Sequence, residues 1–174
     1  MFTDPIQNLK QFGLREDMVV ADLGAGTGFY SIAAAHMVPK GKVYAVEVQK
    51  DFVTTIRNKA KESHVNNLEV LWGNIEKLGG TKIGDRIVDA VIASNVIFQI
   101  EDRDTFIKEV KRILKPQGML LVVDWSDTSS AVGPGGANVI PKSKMREMFE
   151  QNGFVFIRDI DALHHHYGII FKKE

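Results

Sequence analysis

The run Met18-Val19-Val20-Ala21-Asp22-Leu23-Gly24-Ala25-Gly26-Thr27-Gly28 decides the fold. A short apolar stretch ends in an acid and breaks at once into three alternating glycines, which reads as a buried strand feeding a tight turn. Glycine lets the backbone turn sharply and lets a ligand approach without a Cβ in the way. The Ala-rich apolar segment Phe29–Val38 follows and reads as a buried helix stopped by Pro39. Its first N–H groups point back at whatever binds the turn.

The same rhythm runs outward from this unit. Upstream, Asp4–Phe12 reads as a helix with Asp4 as cap, Pro5 at the first helical position and Ile6, Leu9 and Phe12 on one face. Downstream, Lys42–Val48, Leu68–Trp72, Ile87–Ala93 and Met119–Trp125 read as strands. The helices between them are Lys50–Ser63, with Phe52, Val53, Ile56 and Ala60, and Asp102–Leu114. A helix over Pro141–Asn152, stopped at Gly153, precedes two last strands, Phe154–Ile160 and His165–Lys172. Their short link makes them antiparallel, because a parallel pair needs a crossover of about a dozen residues. Alternating strands and helices build a mostly parallel sheet covered on both faces. The expected fold is therefore a Rossmann-like, doubly wound α/β sheet of seven strands with a C-terminal antiparallel hairpin, residues 1–174 forming one domain.

Composition narrows the function classes. The chain has 174 residues, 44% hydrophobic and 25% charged, ordinary for a globular domain. It has no cysteine, which removes disulfide frameworks, thiolate metal sites and cysteine nucleophiles. Its 22 basic and 22 acidic residues cancel, which counts against a partner gripped through phosphates. No apolar run reaches the 18 or so residues of a membrane-spanning helix, and the first residues show no secretory pattern, so the expected location is the cytoplasm.

Two ligand classes use a strand, glycine turn and helix in this way. The dinucleotide fingerprint G-x-G-x-x-G would need glycine where Phe29 stands, and a phosphate loop would need the absent Gly-Lys-Ser/Thr. Glu47 closes the second strand 19 residues after Gly28. A carboxylate there can accept both ribose hydroxyls of an adenosyl ligand, whichever cofactor carries it.

The pattern Asp22-Leu23-Gly24-Ala25-Gly26-Thr27-Gly28 resembles motif I of the class I S-adenosylmethionine (SAM)-dependent methyltransferases. The likeness continues through Gly73-Asn74-Ile75, at the position that reads the adenine amino group, where Asn replaces the usual Asp. It continues through Ser94-Asn95 at motif IV, and through Leu114-Lys115-Pro116-Gln117-Gly118 before strand five, where Gln replaces one Gly. It is closest to the subgroup holding quinone-biosynthesis and arsenite methyltransferases. The resemblance implies SAM as cofactor, held by Asp22, Gly24, Ala25, Gly26, Gly28, Tyr30, Glu47, Val48, Gly73, Asn74, Ile75, Ser94 and Asn95. It also implies a methyl acceptor that is a small molecule, with RNA or protein as the alternative acceptor. A non-catalytic SAM-binding module and an NAD-dependent oxidoreductase are the competing classes.

Methyl transfer from a sulfonium needs alignment more than acid catalysis, so no catalytic residue is mandatory. Candidate bases and acceptor contacts are His166, Tyr167, Asp124 and Tyr30, with His36 as a further histidine in the Ala-rich helix. No Asn-Pro-Pro-Tyr or Asp-Pro-Pro-Tyr follows strand four, which disfavours the amino-methylating DNA and glutamine enzymes, and arsenite chemistry lacks its cysteines. Strand alternation would put His164 and His166 on one face and His165 on the other. Packing or surface placement is the expectation for this cluster, with Asp159 and Asp161 the nearest additional ligands if it bound metal; no metal site is expected. Phe2, Phe98 and Trp125 are expected to line an apolar acceptor pocket, with Phe12 in the core. The Gly/Pro/Ser-rich segment Ser126–Pro141, with Gly133, Gly135 and Gly136, is expected to gate the acceptor.

Overall fold

The structure, a computed structural model, describes residues 3–126, 134 and 138–174. The first helix α1 (Pro5–Phe12) starts where the Asp4 carboxylate accepts the Gln7 amide at 3.1 Å and ends at Gly13, whose φ of 82° is left-handed. Then follow β1 (Val19–Leu23), α2 (Phe29–Met37), β2 (Lys42–Glu47), α3 (Lys50–Glu62), β3 (Leu68–Trp72) and β4 (Val88–Ser94). A 3₁₀ turn at Ile97–Gln99 leads to α4 (Arg103–Ile113), β5 (Leu114–Trp125), α5 (Lys142–Glu150), β6 (Phe154–Ile160) and β7 (His166–Lys173). Among the described residues no helix is long and apolar enough to cross a membrane.

The seven strands form one sheet in the order β3-β2-β1-β4-β5-β7-β6. β1 to β5 pair in parallel, and β7 runs antiparallel to both β5 and β6. The expected architecture holds. Successive side chains leave opposite faces of the sheet. Val20, Val43, Ile92 and Leu121 accordingly pack with Leu9, Phe12 and Ala34 of α1 and α2. Ala21, Val91, Leu120 and Phe171 pack with Phe106, Val110 and Phe149 of α4 and α5. Chain order reverses between β1 and β4, and an open parallel sheet leaves a crevice at such a point, at the carboxyl ends of its strands.

Two local expectations fail. β5 starts at Leu114 and not at Met119: Leu114 pairs with Val88 and Met119 with Ala90, so residues 115–118 bulge against Asp89. Gln117 takes a left-handed φ of 64° there, the conformation a glycine adopts without strain. The histidine run does not alternate, because Leu163 and His165 have φ of 68° and 65° and β7 begins only at His166. Phe2, Gly133, Gly135, Gly136 and most of the Ser126–Pro141 segment expected to gate the acceptor lie outside the described residues.

Candidate active site

At the carboxyl ends of β1 to β4 lies a cavity of about 630 Å³. Every residue expected to hold the cofactor is on its wall except Gly28: Asp22, Gly24, Ala25, Gly26, Tyr30, Glu47, Val48, Gly73, Asn74, Ile75, Ser94 and Asn95. Gly28 stands behind the turn. Its φ is 83°, and a Cβ there would meet Ile56 of α3 at 3.0 Å, so it serves close helix packing.

The three turn glycines differ in what surrounds them. Gly24 has a φ of 72° and its missing Cβ would fall 2.4 Å from Val96 Cγ2. Its amide and that of Ala25 both donate to the Val46 carbonyl, at 2.9 and 3.1 Å, which ties the turn to β2. Gly26, at φ 54°, has nothing within 4 Å of its Cβ direction and is the open side of the turn.

Glu47 is buried, and all of its described partners are backbone amides. Oε2 accepts from Gly26 at 2.9 Å, and Oε1 accepts from Val48 at 2.8 Å and Gln49 at 2.9 Å. Oε2 keeps a lone-pair direction for a further donor, while Oε1 already takes two amides. Asp22, 2% exposed, accepts from Ser31 Oγ at 2.5 Å. Burial pushes its carboxyl up to about 7, the Ser31 bond pulls it back in part, and the Glu47 charge pushes it further up. Tyr30 receives a 2.7 Å hydrogen bond from Asn8 Nδ2 of α1, and burial raises its hydroxyl above the ordinary range. Asn74 uses Oδ1 to accept the Glu76 amide at 2.8 Å, and its own amide donates to Gly80. Asn95 has a left-handed φ of 53°, and its buried Oδ1 has no partner among the described residues.

The other candidates stand off the wall. Asp124 turns its carboxylate onto backbone: Oδ1 accepts from Trp125 at 2.8 Å and Oδ2 from Phe98 at 3.2 Å. Burial pushes this acid up to about 6, against the pull of those amides and of Arg103. Tyr167 donates to the Ile140 carbonyl at 2.9 Å, and burial followed by the nearby Asp124 charge drives its hydroxyl far up. His166 is buried with its ring 4.3 Å from that of Trp125, and its Nδ1 lies 3.0 Å from the His164 carbonyl oxygen. His164 and His165 are exposed. Asp159 pairs with Lys142, Asp161 accepts the Leu163 amide, and no group of three metal-binding side chains occurs among the described residues. Phe98 and Trp125, expected on an acceptor pocket, are not on this wall: Phe98 is half-buried on the 3₁₀ turn, and Trp125 ends β5 packed against the His166 ring; Phe12 is in the core as expected. His36 is exposed on the far side of α2, beside a shallow hollow shared with His64.

Sequence reasoning missed several wall residues, among them Thr3, Pro5, Gln49, Phe52, Glu76 and Gln99. A positional signal existed for the last four, since they follow the carboxyl ends of β2, β3 and β4, where this kind of sheet builds its crevice. Among the described wall residues are three carboxylates, Asp22, Glu47 and Glu76, and no Lys, Arg or His. That set of acceptors, with the open side of Gly26, fits a ligand carrying ribose hydroxyls, an ammonium and a sulfonium.

A family model described as a methyltransferase domain matches residues 14–158. The ubiquinone/menaquinone biosynthesis C-methyltransferase UbiE of Shewanella sp. (strain W3-18-1) is 30% identical over 116 residues, 66% of this chain and 45% of that protein. The chain thus spans less than half the length of that relative. The demethylmenaquinone methyltransferase of Listeria welshimeri is 26% identical, with 97% of this chain and 84% of that protein aligned. A crystal structure of a SAM-dependent methyltransferase from Aquifex aeolicus superposes with a TM-score of 0.91 at 30% identity, covering 99% of this chain and 91% of that one.

Proposed function

Because this chain belongs to the methyltransferase-domain family of class I, SAM-dependent enzymes, we propose that it methylates a small aromatic acceptor of the quinol kind. The observation that carries the reading is the union of the glycine turn and the ribose-reading acid: Gly26 and Glu47 share a hydrogen bond on the wall of one cavity. SAM, when bound, supplies a methyl group on a sulfonium whose departure needs no acid. Glu47 accepts from the ribose through Oε2, Val48 and Ile75 flank the adenine, and Asn74 reads its edge. Asp22 faces the positive end of the ligand, while Ser94 and Asn95 border the reacting end. Tyr30, held by Asn8, orients the acceptor through its hydroxyl. Alignment of this kind contributes several kcal/mol in methyl transfer, on the order of what well-oriented intramolecular reactions gain.

The small acceptor is supported by two observations. Relatives at 26–30% identity are named for quinone methylation. The described wall carries carboxylates and no basic side chain, so a phosphate backbone finds no counter-charge there. Incubation with methyl-labelled SAM and reduced 1,4-naphthoquinone, bulk tRNA or a mixed peptide pool tests the reading. Label in the quinol fraction is the expected result. Label in RNA or peptide alone overturns the small-acceptor assignment, and absence of SAM binding by calorimetry overturns the enzyme assignment itself.

A further inference from the structure

Asp124 and Arg103 act on the same short piece of backbone. Asp124, on β5, takes the Phe98 amide with one oxygen and the Trp125 amide with the other. Arg103, in the first turn of α4, donates from Nε to the Ile97 carbonyl at 3.3 Å and from its terminal nitrogen to the Phe98 carbonyl at 3.4 Å. The 3₁₀ turn Ile97–Gln99 thus has its amide side held by a carboxylate and its carbonyl side held by a guanidinium. Charged partners make stronger hydrogen bonds than neutral ones. A three-residue 3₁₀ segment has few bonds of its own, with Gln99 N to Val96 O and Ile100 N to Ile97 O both at 3.2 Å.

The held turn is the cavity wall beyond β4: Val96, Gln99 and Ile100 line it beside Asn95. Asn95 itself sits at a positive φ, and Gln99 Nε2 donates to its carbonyl at 3.3 Å. The glycine turn and Glu47 make the cofactor-reading wall, which Val96 meets at Gly24. Neither Asp124 nor Arg103 is on the described wall of the cavity.

We propose that Asp124 and Arg103 are a pair of positioning residues whose clamp on the Ile97–Gln99 turn sets the acceptor wall of the cavity. This rests on the methyltransferase reading above. The clamp holds Gln99 and Ile100 at the distance the acceptor needs, and it leaves the adenosine-reading wall alone.

The test uses Asp124→Asn and Arg103→Gln in the whole protein, with SAM and reduced 1,4-naphthoquinone as probes. Asp124→Asn should raise the KM for the quinol at least tenfold, leave the SAM Kd within twofold, and speed amide exchange at residues 97–100 at least tenfold while β4 and β5 stay protected. Arg103 is half-buried, so Arg103→Gln keeps the fold if Asp124→Asn does not, and should move the same two readouts in the same direction. Arg103→Lys should recover part of the KM. Unchanged exchange at residues 97–100 overturns the clamp. A SAM Kd that rises in step with the quinol KM overturns its assignment to the acceptor wall, as does a stability loss with both constants unchanged. If the native protein binds SAM but leaves the quinol unmethylated, the acceptor reading fails and the exchange measurement still judges the clamp.

Discussion

Glu47 accepts the Gly26 amide at 2.9 Å, so the acid that ends β2 and the turn that follows β1 form one surface. The same carboxylate takes the Val48 and Gln49 amides, which fixes its orientation before any ligand arrives. A pre-oriented acceptor spends little side-chain entropy on binding.

Glu47→Ala should therefore weaken SAM by about 1.5–3 kcal/mol, the usual worth of a hydrogen bond to a charged group, or roughly ten- to more than a hundredfold in Kd. Calorimetry on the folded variant reads this directly. A Kd unchanged from the native protein would leave Glu47 as a support for the turn with no hold on the ribose.

The two turn glycines on the cavity wall should fail in different ways. Gly24→Ala places a methyl 2.4 Å from Val96 Cγ2 at a left-handed φ, so it should lower stability by more than the ~1–2 kcal/mol that the backbone conformation costs alone. Gly26→Ala suffers only that conformational cost, because nothing lies within 4 Å of the added atom. Its methyl instead enters the ligand's approach. Thermal melts with SAM titrations should show Gly24→Ala chiefly destabilised and Gly26→Ala chiefly unable to bind.

The fold was legible because its signals are local. The breaks at Gly24 and Pro39, the run Ile87–Ala93 and the short link before His165 each determine an element or its direction without knowledge of the rest. Most of the cofactor wall was legible for the same reason, since it lies within three residues of a strand end. What escaped depends on pairings across the chain. The bulge at 115–118 is visible only once β5 is laid against β4, and Asp124 meets the Phe98 amide 26 residues away. The histidines misled because two left-handed residues, Leu163 and His165, cancel the alternation that a strand would impose.

That geometry gives the histidines a testable separation. His164→Ala and His165→Ala alter exposed side chains away from the cavity and should change stability by no more than about 0.5 kcal/mol, with SAM affinity retained. His166→Ala removes a buried ring packed at a tilt against Trp125 and should cost about 1–3 kcal/mol in denaturant unfolding, again with SAM affinity retained. A SAM Kd raised tenfold in a folded His166→Ala protein would put this residue back in the ligand-binding machinery.

Asp22 should make cofactor binding a proton-linked event. Its carboxyl is raised from 3.8 to about 7 chiefly by burial, so the fold prefers the protonated acid. The stabilisation from this group is complete below about pH 4 and is lost as the pH rises through about 7. A cationic ligand beside Asp22 favours the carboxylate, so binding near pH 6 should release roughly one proton. SAM titrations at pH 6 in phosphate and in a buffer of high ionisation enthalpy should give different apparent enthalpies, and the difference counts the proton. At pH 8.5 the acid is already ionised, so this proton release should disappear. Asp22→Asn keeps the Ser31 donor satisfied through its amide oxygen while removing the buried charge, so it should abolish the buffer dependence at pH 6. It should also raise the melting temperature of the ligand-free protein at pH 8.5 relative to native, and not at pH 4. Equal enthalpies in both buffers at pH 6 with native protein would mean that Asp22 is ionised before the cofactor arrives.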